Sequence, residues 1–250
     1  MTSPELDNFD LPGSHYGFSA VKVDSLTAPE YTLATLLVDD SGSVSNWRSR
    51  LEECVRQIVL SLRENPRADY LLVRVVAFGD QLREVMGFTQ LGELPLNKLN
   101  SFLGNGGGTY LFGACSNALS ATHAYAKQLF DSEYKVNGLT YVITDGDDNM
   151  SHRDKITADV VGQSMKHLVQ SEVMESHVGI LVGVNMFDST IKAYLDNFAS
   201  VAGFDKFLSL DSADEAALKK VAQVGVQSIS LQSQALGTGG PSQAINSLTI

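Results

Sequence analysis

Cysteine is scarce in this chain of 250 residues, which contains only Cys54 and Cys115. Two cysteines cannot form a disulfide framework, and so low a count suits a reducing compartment. No run of about 18 apolar residues occurs, so the sequence predicts no membrane span. Residues 1–8 lack both the basic start and the apolar core of a secretory signal. These absences together predict a cytoplasmic protein.

Positive charge is also in short supply. The chain has 18 Lys and Arg residues against 29 Asp and Glu, which gives a formal net charge of −11. A broad electrostatic grip on nucleic acid or on an anionic membrane surface is therefore not expected. Apolar residues make up 44% and charged residues 19% of the chain, a globular composition. The length suits one α/β domain, or at most two small ones.

Strand and helix patterns alternate along the chain from residue 31 onward. Apolar β-compatible runs predict strands at 31–38, 70–78, 82–88, 139–144, 178–184 and 206–210. Helical spacing predicts helices over about 47–62, 95–103, 111–129, 154–172 and 189–199, and from about 214 onward. Such alternation, with one hairpin at 79–80, predicts an α/β fold. We expect an open, mostly parallel sheet with one antiparallel strand and helices on both faces.

The two ends of the chain have weaker patterns. Residues 1–15 predict an irregular arm, and 16–26 predict a strand or edge strand, so 1–30 form an amino-terminal arm. Residues 136–138 are expected to turn the chain before the strand at 139–144. No charged residue occurs in 221–250; within it, 227–236 predicts a helix end or a partner-binding surface, and 237–250 a flexible tail. The main domain is thus expected to span 31–236.

Polar side chains gather where strands are expected to end. Asp39, Ser41 and Ser43 alternate after the first strong strand, Thr109 follows three glycines at the start of a helix, and Asp145 closes a later strand. Parallel strands bring such loops to one sheet edge, where ligands bind. Carboxylate and hydroxyl oxygens suit Mg²⁺, with Mn²⁺ or Ca²⁺ as alternatives, rather than zinc or copper. Five protein contacts would leave a six-coordinate Mg²⁺ with an open position.

Three segments resemble the parts of a known metal site. Val38-Asp39-Asp40-Ser41-Gly42-Ser43, Gly107-Gly108-Thr109 and Ile143-Thr144-Asp145-Gly146 are similar, in order and spacing, to the metal-ion-dependent adhesion site of von Willebrand factor type A domains.

The resemblance covers roughly residues 31–225. It implies a Rossmann-like sheet of five parallel strands and one antiparallel strand, and a divalent cation, usually Mg²⁺, whose open position takes an Asp or Glu from a protein partner. Ser41, Ser43 and Thr109 would then bind the metal directly, and Asp39 and Asp145 directly or through water. Stand-alone intracellular members of the family work in multi-protein machines, for example beside AAA+ ATPases or in stress and tellurite-resistance systems.

Further acidic residues close to the site strain this analogy. Asp40, Asp147 and Asp148 would repel an incoming carboxylate, because Asp39 and Asp145 already neutralise a divalent ion. One hypothesis is that the partner surrounds its carboxylate with Lys or Arg. The alternative is that the three side chains point into solvent and have little effect.

Other readings of the same residues stay open. Asp39, Ser41 and Ser43 also suit a plain turn and helix cap. A structural protein that self-associates through its arm and tail, independently of metal, is one alternative function. A metal-dependent phosphoester hydrolase is another, but Ser41 stands where a haloacid dehalogenase phosphatase needs its second Asp, and neither a G-x-S-x-G elbow nor a P-loop is found. The sequence therefore predicts a binding module and not an enzyme, with His152 as a further candidate to line the site and the oligomeric state undetermined.

Overall fold

The computed structural model describes residues 5–104 and 106–238. Within these ranges lie eight strands and five α-helices. The strands are β1 (Leu6–Phe9), β2 (Phe18–Val21), β3 (Glu30–Asp39), β4 (Leu71–Phe78), β5 (Leu82–Gln90), β6 (Lys135–Thr144), β7 (Ser176–Gly183) and β8 (Lys206–Ser209). The helices are α1 (Arg48–Arg63), α2 (Leu111–Asp131), α3 (Ala158–Gln170), α4 (Ser189–Ala202) and α5 (Glu215–Thr238).

All eight strands form one sheet in the order β1-β2-β5-β4-β3-β6-β7-β8. Strands β3, β4, β6, β7 and β8 are parallel, and β5 pairs antiparallel with β4. This six-stranded part confirms the predicted α/β fold, with a mostly parallel sheet and the antiparallel strand after the hairpin. The architecture is that of a Rossmann-like fold and is consistent with a von Willebrand factor type A domain.

Strand β3 lies at the centre of the sheet and shows why helices cover both faces. Its side chains alternate between two apolar cores: Ala34, Leu36 and Val38 lie in the core beneath α1 and α5. Leu33 and Leu37 lie in the core beneath α2, α3 and α4. A strand buried on both faces needs apolar residues at successive positions, which is why the sequence from 31 to 38 shows almost no polar alternation.

The amino-terminal segment contains more regular structure than predicted. Strand β1 lies within residues 1–15, where an irregular arm was expected, and pairs antiparallel with β2, which itself joins β5. The Phe9 and Phe18 rings stack with centroids 4.9 Å apart, and the Tyr125 hydroxyl donates to the Val21 carbonyl at 2.7 Å. The local sequence pattern does not predict β1 or its pairing with β2, because a four-residue strand is too short to show a period.

The expected turn at 136–138 is wrong, because β6 already begins at Lys135 and continues through these residues in register with β3. Asn137 looks like a turn residue, but its side chain is buried. It accepts a hydrogen bond from Thr32 at 2.7 Å and donates to the Gln232 carbonyl at 2.7 Å. A Cβ on Gly138 would lie 2.6 Å from the Met174 side chain, so glycine here serves close packing rather than a turn.

Several predicted boundaries also shift. The helix expected over 95–103 is only a short 3-10 turn at Leu96–Leu99, and α3 begins at Ala158 instead of about 154, after a 3-10 turn and a Thr157 cap. Helix α5 contains all of 227–236 and runs two residues into the predicted tail; 239–250 lie outside the described residues. No helix in the described part of the chain is both long and apolar enough to cross a membrane.

Candidate metal centre

Two neighbouring parallel strands bring the predicted site residues together. Strand β3 ends at Asp39 and β6 ends at Thr144, just before Asp145, and the two strands pair in register up to Val38 and Ile143. The loops that follow therefore leave the sheet side by side at its carboxyl edge. The residues from Gly42 to Asn46 form a 3-10 turn that leads from this edge into α1.

Hydrogen bonds connect the oxygen atoms of three predicted ligands. The Ser43 hydroxyl donates to Asp145 Oδ1 at 2.6 Å, and the hydroxyl oxygens of Ser41 and Ser43 lie 2.9 Å apart. Ser41 is buried, Asp145 is half-buried and Ser43 is exposed. The cluster thus runs from the end of the sheet to the surface, where a ligand can reach it.

Asp39 lies deeper than the other predicted ligands and is fully buried. Its Oδ1 accepts the backbone N–H of Ser41 at 2.8 Å, and its Oδ2 accepts the Thr144 hydroxyl at 2.6 Å. Both carboxylate oxygens are therefore held in place by the protein. This arrangement suits a residue that orients the ligands above it or reaches a metal through water.

Thr109 lies at the same edge of the sheet, on a glycine-rich loop that contacts the segment following β3. The Gly42 N–H donates to the Gly107 carbonyl at 3.2 Å, and the Thr109 N–H donates to Asn149 Oδ1 at 2.8 Å. The Thr109 hydroxyl oxygen lies 4.0 Å from where a Cβ on Gly146 would stand. The third hydroxyl is thus placed beside the loop that carries Asp145.

The two site carboxylates have no cationic partner in the described part of the chain. Neither Asp39 nor Asp145 forms a salt bridge with any residue in 5–104 or 106–238. Burial raises the pKa of Asp39, against hydrogen bonds from Ser41 and Thr144. Burial, and then the charge of Asp39, raise the pKa of Asp145 to about 6. Two carboxylates that repel each other beside hydroxyl oxygens form a donor set that fits a hard divalent cation.

This donor set differs from that of most transition-metal sites. No group of three or more His, Cys, Asp or Glu side chains in the described ranges is arranged to hold a metal ion. A site here depends on hydroxyl oxygens together with two carboxylates. His152 lies on the nearby 3-10 turn and is exposed, and its side chain forms no hydrogen bond or ion pair with the five predicted ligands, all of which the structure describes.

Two of the three extra acidic residues have structural roles of their own. Asp40 is buried and lies 3.3 Å from an Arg83 guanidinium nitrogen, and it accepts the Gly104 N–H. Asp148 accepts the Phe112 N–H at 3.0 Å near the start of α2. Of the three extra acids, only Asp147 is exposed. The expected repulsion of a partner carboxylate is therefore weaker than the sequence alone implies, since Arg83 offsets the charge of Asp40.

Three supporting residues have roles that the sequence does not predict. Thr144 fixes Asp39, Asn149 accepts the Thr109 amide, and Asp80 accepts the Gly107 and Gly108 amides at 2.9 and 2.7 Å. The sequence predicts for Asp80 only a place in the hairpin turn at 79–80. The position of Asp80 could have indicated this role. Asp80 follows β4, which is parallel to β3 and ends at the same edge of the sheet.

Comparisons with known proteins show likeness at the level of fold. No family model matches the chain, and no curated protein matches it. Among solved structures, the PilB minor pilin from Streptococcus sanguinis is 12% identical with a TM-score of 0.60, over 86% of this chain and 64% of that one. The pilus adhesin SpaC from Lactobacillus rhamnosus GG, in its open conformation, is 15% identical with a TM-score of 0.53, over 86% of this chain and 32% of that one.

Proximal thread matrix protein 1 from the mussel byssus, described with a zinc-occupied MIDAS motif, is 14% identical with a TM-score of 0.46. It matches over 80% of this chain and 47% of that one. A similarity of this size does not establish a shared function. The chain also spans less than two thirds of the pilin and about half or less of the other two structures.

Proposed function

We propose that this chain is a protein-interaction module of the von Willebrand factor type A kind that binds an acidic residue of a partner through a divalent cation. The observation that carries the proposal is the cluster of Ser41, Ser43 and Asp145 oxygens above buried Asp39, at the carboxyl edge of the sheet. Within residues 5–104 and 106–238, neither carboxylate forms an ion pair with a cationic side chain. A cation in this place would relieve the repulsion between them.

The five predicted residues have different roles in this proposal. Ser41, Ser43 and Thr109 offer hydroxyl oxygens to the metal, whereas Asp39 and Asp145 supply charge, directly or through water. When bound, Mg²⁺ would supply an electrophilic centre with an open position for a partner Asp or Glu. Thr144 and Asn149 keep the ligands in place through their hydrogen bonds.

The identity of the metal and the setting are part of the same proposal. We propose Mg²⁺ first, with Mn²⁺ or Ca²⁺ as alternatives, because all the donors are hard oxygens. We also propose that the domain binds without catalysis and works in the cytoplasm within a multi-protein machine. Two buried, unpaired cysteines support a reducing compartment. Cell fractionation of the native host tests the location.

The first experiment measures Mg²⁺ binding and partner capture with wild type and Thr109→Ala. We expect the variant to bind Mg²⁺ at least about tenfold more weakly, since it loses a hydroxyl ligand, which corresponds to about 1.4 kcal/mol. Thr27→Ala, which changes an exposed threonine, is the matched control and should bind Mg²⁺ like wild type. The binding is measured by isothermal titration calorimetry.

Capture of partners from the native host is then compared in Mg²⁺ and in EDTA. A partner lost both in EDTA and with Thr109→Ala supports metal-mediated binding. Equal Mg²⁺ affinity of wild type and Thr109→Ala would contradict the proposed site. Two results together would favour the structural alternative: a self-association that light scattering shows to be unchanged in EDTA, and partner capture that is equal in Mg²⁺ and in EDTA. Turnover of a phosphate ester that depends on Mg²⁺ would favour the hydrolase.

A further inference from the structure

A polar pocket of about 340 Å³ opens beside the candidate metal centre. Three parts of the chain line it: the segment Pro12–His15, one side of α2, and the loop from Arg153 to Ile156. Ser116 and Ser120 bring two hydroxyls from α2 into the lining. The amino-terminal segment thus closes one side of a pocket that the main sheet alone would leave open.

Arg153 and Lys155 give this pocket a positive character that is rare on a chain of net charge −11. Both side chains are exposed, and neither forms a salt bridge within residues 5–104 and 106–238. The acid between them, Asp154, is already engaged, because it accepts the Tyr110 hydroxyl at 2.5 Å and lies 3.8 Å from His15. The pocket therefore offers two available cations and hydroxyl donors to an incoming anion.

The pocket reaches the residue next to a candidate metal ligand. Tyr110 lines the pocket and directly follows the predicted ligand Thr109, whose Cα is only about 3.8 Å away along the chain. The amides of Gly108 and Gly107, and then the charge of Arg153, hold the pKa of Asp80 below its ordinary value. Arg153 therefore lies near the loop that carries Thr109. A segment of a partner bound at the metal centre would lie within reach of both sites.

We infer that this pocket binds a second carboxylate of the same acidic partner segment, through Arg153 and Lys155. An arginine guanidinium and an ammonium group beside hydroxyls match a carboxylate well, and such charge-assisted hydrogen bonds are the stronger kind. The second contact would select partners with two spaced acidic residues over those with one. Its role as a second contact rests on the proposed metal-dependent binding, whereas the preference of the pocket for a carboxylate does not.

The test uses the full ¹⁵N-labelled chain in EDTA, titrated with N-acetyl-glutamate α-amide as a single glutamate side chain. N-acetyl-glutamine α-amide is the neutral control, and inorganic phosphate is the competing anion. We expect the glutamate probe to shift the amide signals of 13–15, 113–120 and 153–156, and the glutamine probe to leave them in place. The double variant Arg153→Gln/Lys155→Gln should bind the glutamate probe at least tenfold more weakly than wild type. Lys166→Gln, an exposed charge change on α3, should not.

Three results of this titration would overturn the inference. Equal shifts by the glutamate and glutamine probes, or unchanged affinity of the double variant with a native spectrum, would overturn the inference. Shifts by phosphate without shifts by the glutamate probe would overturn it as well and assign the pocket to phosphate. A parallel Mg²⁺ titration reads the amides of Gly42, Ser43 and Gly146. Failure of that titration alone would remove the proposed function and leave the carboxylate pocket standing.

Discussion

Removing one carboxylate from the candidate metal centre should stabilise the metal-free protein. In the folded chain the pKa of Asp145 is raised from 3.8 to about 6, first by burial and then by the charge of Asp39. A pKa that is higher in the folded than in the unfolded state makes ionisation oppose folding. The corresponding stability is present below pH 3.8 and is lost as the pH rises through about 6.

The size of this effect follows from the two pKa values. The difference between 3.8 and about 6 corresponds to about 3 kcal/mol, at 1.36 kcal/mol for each tenfold change in proton affinity. Asp145→Asn keeps an oxygen that can accept the Ser43 hydroxyl and removes the charge. In EDTA at pH 8 we therefore expect the variant to be more stable than wild type by up to about 3 kcal/mol. At pH 4 the two proteins should differ little.

The assay is urea unfolding in EDTA at pH 4, 6 and 8, followed by circular dichroism. Asp147→Asn is the matched control, because Asp147 lies on the same loop but is exposed, and it should show no such pH dependence. Added Mg²⁺ should stabilise wild type, by about 2.7 kcal/mol at a free concentration of one hundred times Kd, and Asp145→Asn much less. An Asp145→Asn protein that is less stable than wild type at pH 8, or equally offset at every pH, would refute the reasoning.

Two further predictions concern residues that support the fold and the site. Glu84→Gln should destabilise the protein by about 3–5 kcal/mol in urea unfolding, because it removes the carboxylate that pairs with the buried Arg74 guanidinium. In the wild type the Arg74 Nε and a Glu84 carboxylate oxygen lie 2.5 Å apart. A loss of stability under about 1 kcal/mol would contradict this pairing. Gly106→Ala should abolish the response of the unfolding midpoint to Mg²⁺, because the new Cβ would lie 2.1 Å from the Asp40 carbonyl oxygen and displace the loop that carries Thr109. Gly92→Ala, with open space around the new Cβ, is its control, and a Mg²⁺ response kept by both variants would count against the placement of this loop.

The prediction for Glu84→Gln depends on a buried polar network around Arg74 that the local sequence does not predict. Arg74 stands in the middle of apolar β4 and is 1% exposed. It pairs with Glu84 on β5 and donates to Asn117 on α2 at 3.1 Å, while Asn117 donates in turn to the Tyr16 carbonyl at 3.0 Å. A charge in a strand core is costly unless it is paired. The network therefore joins the amino-terminal segment, the antiparallel strand and α2 into one unit.

The extra acids near the metal centre illustrate how tertiary contacts change a charge argument. Counting Asp40 beside Asp39 suggests a repulsive surface, but Asp40 faces Arg83, which lies at the start of β5 just after the hairpin turn. Its remaining interactions include Arg48 at 3.9 Å. A partner carboxylate approaching Ser43 and Asp145 therefore meets less negative charge than the sequence count implies. The exposed Asp147 remains for a partner Lys or Arg to pair with.

The sequence by itself determined the order of the main elements and which polar residues stand at the carboxyl ends of β3 and β6. Doubly buried strands such as β3 have near-continuous apolar runs, and amphipathic helices such as α1 repeat every three to four residues, so both can be read locally. Because parallel strands must end at a shared edge, the gathering of Asp39, Thr109 and Asp145 could also be predicted before any coordinates. That these residues bind a metal stays a prediction.

Only the tertiary structure decided the rest, for a common physical reason. The pairing of β1 with β2, the strand conformation of 136–138 and the support of Asp39 by Thr144 all depend on partners distant in sequence. Turn-forming residues such as Asn137 and Gly138 take up strand conformation when buried hydrogen bonds and close packing outweigh their local preference. The raised pKa of Asp145 has the same origin, since burial and the nearness of Asp39 arise only when the sheet brings β3 beside β6.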